Sequence, residues 1–329
     1  MKKITLLLLC FLAGNLLLQA QKNRFPVPVI FDTDMGPDYD DVGAIAMLHA
    51  FADAGKTEIL ATIASTRYVN VVPVLSVLNT YFKRPEIPIG FPSGWAQDLR
   101  DWQHWSDMLV AKYPHSLKNN SDAEDAVKLY RKILATQPDG HTVIITVGFL
   151  TNLEQLLRSE GDDSSPLTGV ELVRKKVKRL VSMAGKFPSG KEFNVDRHIE
   201  ASDYVFRHWP TQVYLSGFEI GQKIKTGLPL VRNRKIQNSP VKDVFRISIP
   251  MAAEDNLGRM SWDQTAVMAG VLGHESFYTL QQGRIIIDTT DGSNTWEDDP
   301  RGQHFYFVEK MKPARVEKKI NTWMMHQPK

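Results

Sequence analysis

From residue 27 onward, short apolar runs alternate with stretches whose apolar positions recur every three or four residues. Residues 27–31 (Val-Pro-Val-Ile-Phe) predict a buried strand and residues 42–54 a helix. Residues 58–64 predict a second strand, and residues 73–82 a helix that its proline can start but not interrupt. Residues 87–90 read as a short strand. Residues 95–113 and 123–136 read as helices, with Trp102 and Trp105 three apart on one face as core or lid. The alternation continues with strands at 142–147, 177–184 and 212–215 and helices at 152–158 and 201–209.

Alternation of this kind implies an α/β, Rossmann-like fold, a mostly parallel sheet with helices on both faces. Ligands then lie beyond the carboxyl ends of the strands. After about residue 240 the pattern changes to helices at 241–254 and 263–272, short strands at 277–281, 284–287 and 305–308, and a C-terminal helix. No linker or repeat interrupts the chain, and residues 161–165 read as a solvated loop. Residues 21–329 are expected to form one domain.

The first twenty residues depart from this pattern. Met1-Lys2-Lys3 is basic, residues 4–18 are leucine-rich, and Ala20 offers a small residue for cleavage. The run is shorter than the ~20 residues a membrane-spanning helix needs, and no later stretch is long and apolar enough. Residues 1–20 therefore predict a signal peptide and a secreted or periplasmic protein, with no membrane contact after cleavage. Cys10, the only cysteine, lies mid-run, away from where a lipoprotein cleavage site would sit. The remaining chain excludes disulfides, thiolate metal sites and cysteine catalysis, and a cysteine-free chain fits an oxidising compartment. Net charge is +3, and losing Lys2 and Lys3 lowers it to +1. That gives no electrostatic basis for a nucleic-acid partner.

The densest chemistry is Asp32-Thr33-Asp34-Met35-Gly36-Pro37-Asp38-Tyr39-Asp40-Asp41, five carboxylates between a buried strand and a helix. Packed together they would raise one another's pKa. Asp40 and Asp41 gain from the helix N-terminus, and one could cap it. The simplest neutraliser for the rest is a hard divalent cation. Three other readings compete: a cap plus a solvated acidic turn; an EF-hand-like loop, which would need glutamate where Gly43 stands; and a phosphatase with Asp32 as nucleophile and Asp34 as acid, for which no downstream Lys and acidic pair stand out.

The segment resembles the inosine–uridine-preferring nucleoside hydrolase family, whose Asp-x-Asp-x-Gly-x-Asp-Asp motif follows strand one. Here two more residues separate Gly36 from Asp40-Asp41, as in a divergent branch of that family. Five further segments keep the family's order. Val147-Gly148-Phe149-Leu150-Thr151-Asn152 is similar to its Gly-x-Leu-Thr-Asn, and Met183-Ala184-Gly185 to its Met-Gly-Gly. Glu192-Phe193-Asn194, followed by Glu200-Ala201, resembles its Glu-Phe-Asn and Glu-Ala, and Ser261-Trp262-Asp263 stands at its last metal aspartate.

The resemblance implies the nucleoside hydrolase fold, commonly assembled as a dimer or tetramer. It implies Ca2+ held by Asp34, Asp41, the Val147 carbonyl and Asp263, with the ribose diol completing the shell. Asp34 would take a proton from the metal-bound water as general base. Asp40, Glu192 and Asn194 would bind ribose hydroxyls, Met183 would pack on the ribose, and Asp32 would support the loop. No covalent intermediate is needed, so the anomeric carbon would be inverted.

Two departures concern the rest of the substrate. Trp262 replaces the histidine that many members use to protonate the leaving base, and an indole N–H is no acid. It would act through stacking, with His198 and His304 as candidates for the missing acid. Where members place a ribose-binding Asn after strand two, either Thr66 or Asn70 could serve. Arg67, Tyr68 and Trp95 could line the base pocket, and residues 217–221 shape its rim. The expected function is hydrolysis of a ribonucleoside to ribose and free base, the alternative a non-catalytic sugar-binding protein that keeps the metal–diol site.

Overall fold

The apolar runs read as strands assemble into one sheet. The computed structural model describes residues 25–328, so the expected signal peptide lies outside the described residues. The sheet has eleven strands: β1 (Val27–Thr33), β2 (Thr57–Ala64), β3 (Ile89–Phe91), β4 (Glu124–Asp125), β5 (Thr142–Thr146), β6 (Val177–Met183), β7 (Ser189–Lys191), β8 (Gln212–Ser216), and, past a separate two-stranded ribbon of β9 (Lys225–Thr226) and β10 (Arg259–Met260), β11 (Tyr278–Ile287), β12 (Ser293–Asp298) and β13 (His304–Glu309). Their spatial order is β4-β3-β2-β1-β5-β6-β8-β13-β11-β12-β7. Pairing is parallel from β4 through β13 and antiparallel from there through β11 and β12 to β7. Every residue of β5 is buried, as expected of a strand covered on both faces.

The chain runs outward from β1 in two directions, through β2 and β3 on one side and through β5, β6 and β8 on the other. The order therefore reverses between β1 and β5, and the crevice beyond their carboxyl ends is where such folds bind ligands.

Two helices reach this crevice. Asp40–Asp53 is buried from Asp40 to Phe51, and Trp262–Leu272 from Asp263 to Val271. Both are apolar on nearly all sides, as helices enclosed between layers must be. They touch at Gly43, where a Cβ would stand 2.5 Å from the Gln264 side-chain nitrogen. Any larger residue would push the two N-termini apart.

The structure departs from the sequence pattern in several places. Only Trp105–Lys112 of the helix expected at 95–113 is helical, because the Asp101 carboxylate accepts the Ser106 N–H (2.7 Å) and hydroxyl (2.6 Å) and stops the helix extending backwards. Trp105 is buried while Trp102 is exposed, so the two do not share a face. The helix expected at 241–254 runs over Pro240–Ser248 and gives way to short 3-10 turns around Pro250, which lacks an N–H. The two strands expected at 277–287 are one, β11. The helix Gly169–Lys176 was not expected; it is short, and its Thr168–Glu171 capping box was the available signal. Nor were β7 and β12 expected, being polar edge strands with little apolar alternation.

Candidate active site

Asp32 is the penultimate residue of β1, and its side chain is enclosed. One oxygen accepts the Tyr130 hydroxyl (2.9 Å) and the Asn152 amide (3.0 Å), and burial pushes its carboxyl up to about 7. It ties the end of β1 to Tyr130 and Asn152 and does not line the cavity that Asp34 lines. The chain then turns into the acidic loop. The Thr33 hydroxyl accepts the Met35 N–H (3.1 Å) and donates to Asp41. Beside it passes Gly148, after β5, whose Cβ would lie 2.3 Å from the Asp34 nitrogen. Only glycine lets the two strand ends come this close.

Three buried carboxylates, Asp40, Asp41 and Asp263, bring oxygens within 4.8 Å of one another. Asp34 lines the same cavity. This trio differs from the expected ligand set, with Asp40 in it and Asp34 outside. Asp40 adjoins Asp41 in the first turn of its helix, which puts it there.

Asp40 is nevertheless spoken for. One of its oxygens accepts Arg259 Nε and Nη2 (3.1 Å each), and the other the backbone N–H of Trp262 (3.1 Å) and Asp263 (3.3 Å). This leaves it little capacity for the ribose hydroxyls assigned to it from sequence. Asp34, Asp38, Asp41 and Asp263 line the cavity with it, beside Val147 just past β5.

The electrostatics point the same way. Burial, then the charges of Asp41 and Asp38, hold the Asp34 carboxyl well above the usual range. Burial, then Asp40, pushes Asp41 up to about 8. Asp263 is raised well above its ordinary value by burial, then by Asp40, Asp41 and Asp34. Asp40 reaches only about 6, because Arg259 opposes its burial. Without a cation, burial and mutual repulsion disfavour the charged forms of Asp34, Asp41 and Asp263. Closely set hard oxygen donors with a carbonyl beside them fit a hard divalent cation.

The opposite end of the cavity is built on short helices. Glu192 caps Phe193–Asp196, accepting N–H groups from Asn194 (2.9 Å), Val195 (3.2 Å) and Gly185 (3.2 Å), and burial pushes its carboxyl up to about 7. The Asn194 amide donates to the carbonyls of Val147 (3.0 Å) and Met183 (3.1 Å), tying the ends of β5 and β6 together. Phe193, Phe218 and Trp262 form the aromatic wall. The Trp262 indole N–H donates to the Phe218 carbonyl at 2.8 Å, and the two rings lie 5.3 Å apart, tilted by 31°.

Thus Asp34, Asp40, Asp41, Val147, Met183, Glu192, Asn194, Trp262 and Asp263 all meet in one cavity of about 130 Å3. Asn70 does not join them. Its amide is held by Asp107 (2.8 Å) and Ser106 (3.3 Å), in line with the short helix that starts at Trp105. The Thr66 hydroxyl donates to the Gln97 carbonyl instead. His198 is bonded to Thr151 and packed against Trp95, and His304 accepts the Ile285 N–H at the other end of the sheet. Neither lines the cavity. Arg259 was missed from sequence. Its one signal is a lone basic residue four positions before Asp263.

A family model described as "inosine-uridine preferring nucleoside hydrolase" matches residues 29–324. No curated protein matches the chain by sequence. Among solved structures, the chain is similar to a plant nucleoside hydrolase (TM-score 0.67, 20% identity, 91% of this chain and 99% of that one). It is also similar to a purine-preferring ribonucleoside hydrolase from Gardnerella vaginalis (0.70, 16%, 91% and 98%). A third is an inosine-uridine preferring nucleoside hydrolase from Bacillus anthracis (0.68, 16%, 91% and 99%). At these identities the likeness establishes the fold.

Proposed function

Because the chain belongs to the inosine-uridine preferring nucleoside hydrolase family, we propose that it hydrolyses the N-glycosidic bond of ribonucleosides in a calcium-dependent reaction. The observation that carries this reading is the meeting of Asp34, Asp41, Asp263 and Val147 with Met183, Glu192 and Asn194 in one cavity. Asp34, Asp41, Asp263 and the Val147 carbonyl would hold the cation. When bound, it supplies the charge that lowers a water's pKa and grips vicinal hydroxyls.

The chain's own residues do the rest. Asp34 takes the proton from the attacking water as the C1′–O bond forms with inversion at C1′, and the C1′–N bond breaks with its electron pair leaving on the base, which then takes a proton from solvent. Asn194 and Glu192 orient the ribose hydroxyls against Met183. The surrounding carboxylates favour the positive charge that develops on the ribosyl ring. The cavity is smaller than the ~300–1,000 Å3 of sites that enclose a whole drug-sized ligand. It takes the sugar, while the base lies along Phe193, Phe218 and Trp262. The Trp262 N–H is already bonded, so the wall acts on the base by stacking. We also read residues 1–20 as a signal peptide directing export, and the active protein as a homo-oligomer.

Purified protein incubated with a nucleoside panel should release reducing sugar, lose that activity in chelator, and regain it with calcium. Calcium-dependent nucleoside binding with no sugar released for any base would favour the sugar-binding alternative. A mature N-terminus at Gln21 would support export.

A further inference from the structure

The cavity draws its aspartates from two regions more than two hundred residues apart, the loop after β1 and the N-terminus of the helix Trp262–Leu272. One side chain spans them. Arg259, in β10, is buried, and its guanidinium reaches Asp38 (2.7 Å), Asp40 (3.1 Å) and Asp255 (3.7 Å). It lies over the rings of both Tyr39 and Trp262, 5.1 Å from each centroid. The Tyr39 hydroxyl donates to Asp255 at 2.6 Å and closes the bracket from the other side.

We propose that Arg259, acting through Asp40, is the positioning residue that sets Asp263 at the cation site. Arg259 grips one Asp40 oxygen with Nε and Nη2, and the other oxygen holds the N–H groups of Trp262 and Asp263. Asp40 therefore anchors the backbone from which the Asp263 carboxylate projects. With Arg259 in place, Asp40 is kept from the cation although its oxygens lie within 4.8 Å of those of Asp41 and Asp263. Without it, Asp40 is free to turn toward the cation and release the two N–H groups, and Asp263 loses its anchor. A planar fork stacked between two rings is not matched by the single ammonium of lysine.

The sign of the effect separates this role from a simpler one. A buried positive charge near a cation site repels the cation, so on charge alone Arg259→Met should bind calcium more tightly. Acting as a positioner, Arg259 should have the opposite effect, since loss of a partner that orients a ligand typically weakens metal affinity by roughly 10–100-fold.

The inference rests on the proposed cation site, and calorimetric titration of calcium chloride into the purified protein tests both. Arg259→Met and Arg259→Lys should each bind at least tenfold more weakly than the unsubstituted chain. In an Asp40→Asn background, Arg259→Lys should cost less than about threefold more, because the two residues act as a unit. In the cation-free unsubstituted protein, the Trp262 and Asp263 amides should be protected from hydrogen exchange, a measurement that needs no variant to fold. Affinity that is unchanged or tighter in the Arg259 variants, additive losses with Asp40→Asn, or rapid exchange at those amides would overturn the positioning role and leave the cation site standing. No calcium binding by the unsubstituted protein would overturn both.

Discussion

The acidic and aromatic sides of the cavity are held in different ways. Asp41 and Asp263 stand in the first turns of two buried helices that touch at Gly43 and lean on the sheet. Phe193 and Phe218 stand on four-residue helices after β7 and β8, half-buried, with Trp262 half-buried beside them. Rigid element ends fix charges to within the tolerance a cation demands, whereas short helices and loops can vary without disturbing the core. On the proposed function, the hydrolytic chemistry would belong to the acidic side and the choice of base to the aromatic side.

That division can be broken by substitution. Asp34→Asn should lower kcat by roughly 10²–10⁴-fold, the usual weight of a general base, for every nucleoside alike. A loss confined to one base would move Asp34 to the specificity side. Arg259→Met should destabilise the fold by about 3–5 kcal/mol, since it leaves buried Asp40 and Asp255 without their cation. Urea unfolding checks this, and a loss under 1 kcal/mol would show that the acids rearrange freely.

How far the sequence shows this division also differs between the two sides. The acidic loop is contiguous, follows a buried strand and precedes a helix, so its five aspartates stand out as a cluster, while the roles of Asp34, Asp40 and Asp41 within it came from the family resemblance. Val147, Met183, Glu192, Asn194 and Asp263 needed the family resemblance, because each is an ordinary residue in its local pattern. Sequence could not show that Asp40 spends its oxygens on Arg259 and backbone N–H groups, a pairing made across 219 positions. Asn70 stays out of the cavity for a similar reason, since Asp107, from another element, captures its amide. Of the fold, the buried parallel strands were legible. The polar edge strands β7 and β12 were not, because nothing apolar marks them.

Two smaller effects sharpen the comparison. Burial lifts Asp32 and Glu192 to about 7, so the folded chain holds these protons more tightly than the unfolded one. Stability of the cation-free protein should therefore fall as pH rises from about 4 through about 7. Thermal melts across that range check the sign, and a rise with pH would contradict it. Phe218→Ala, on the other side, should raise KM by no more than about tenfold, in keeping with the ~0.5–1.5 kcal/mol of an aromatic contact. Its kcat should be nearly unchanged, and the effect should differ from base to base in steady-state kinetics.

The most direct test of the whole account is a crystal structure of the protein grown with calcium and ribose. It should show one cation per chain bound by Asp34, Asp41, Asp263 and the Val147 carbonyl, with the sugar's vicinal hydroxyls on the same ion. A cation held elsewhere, or a ribose seated in this cavity with no ion beneath it, would contradict it.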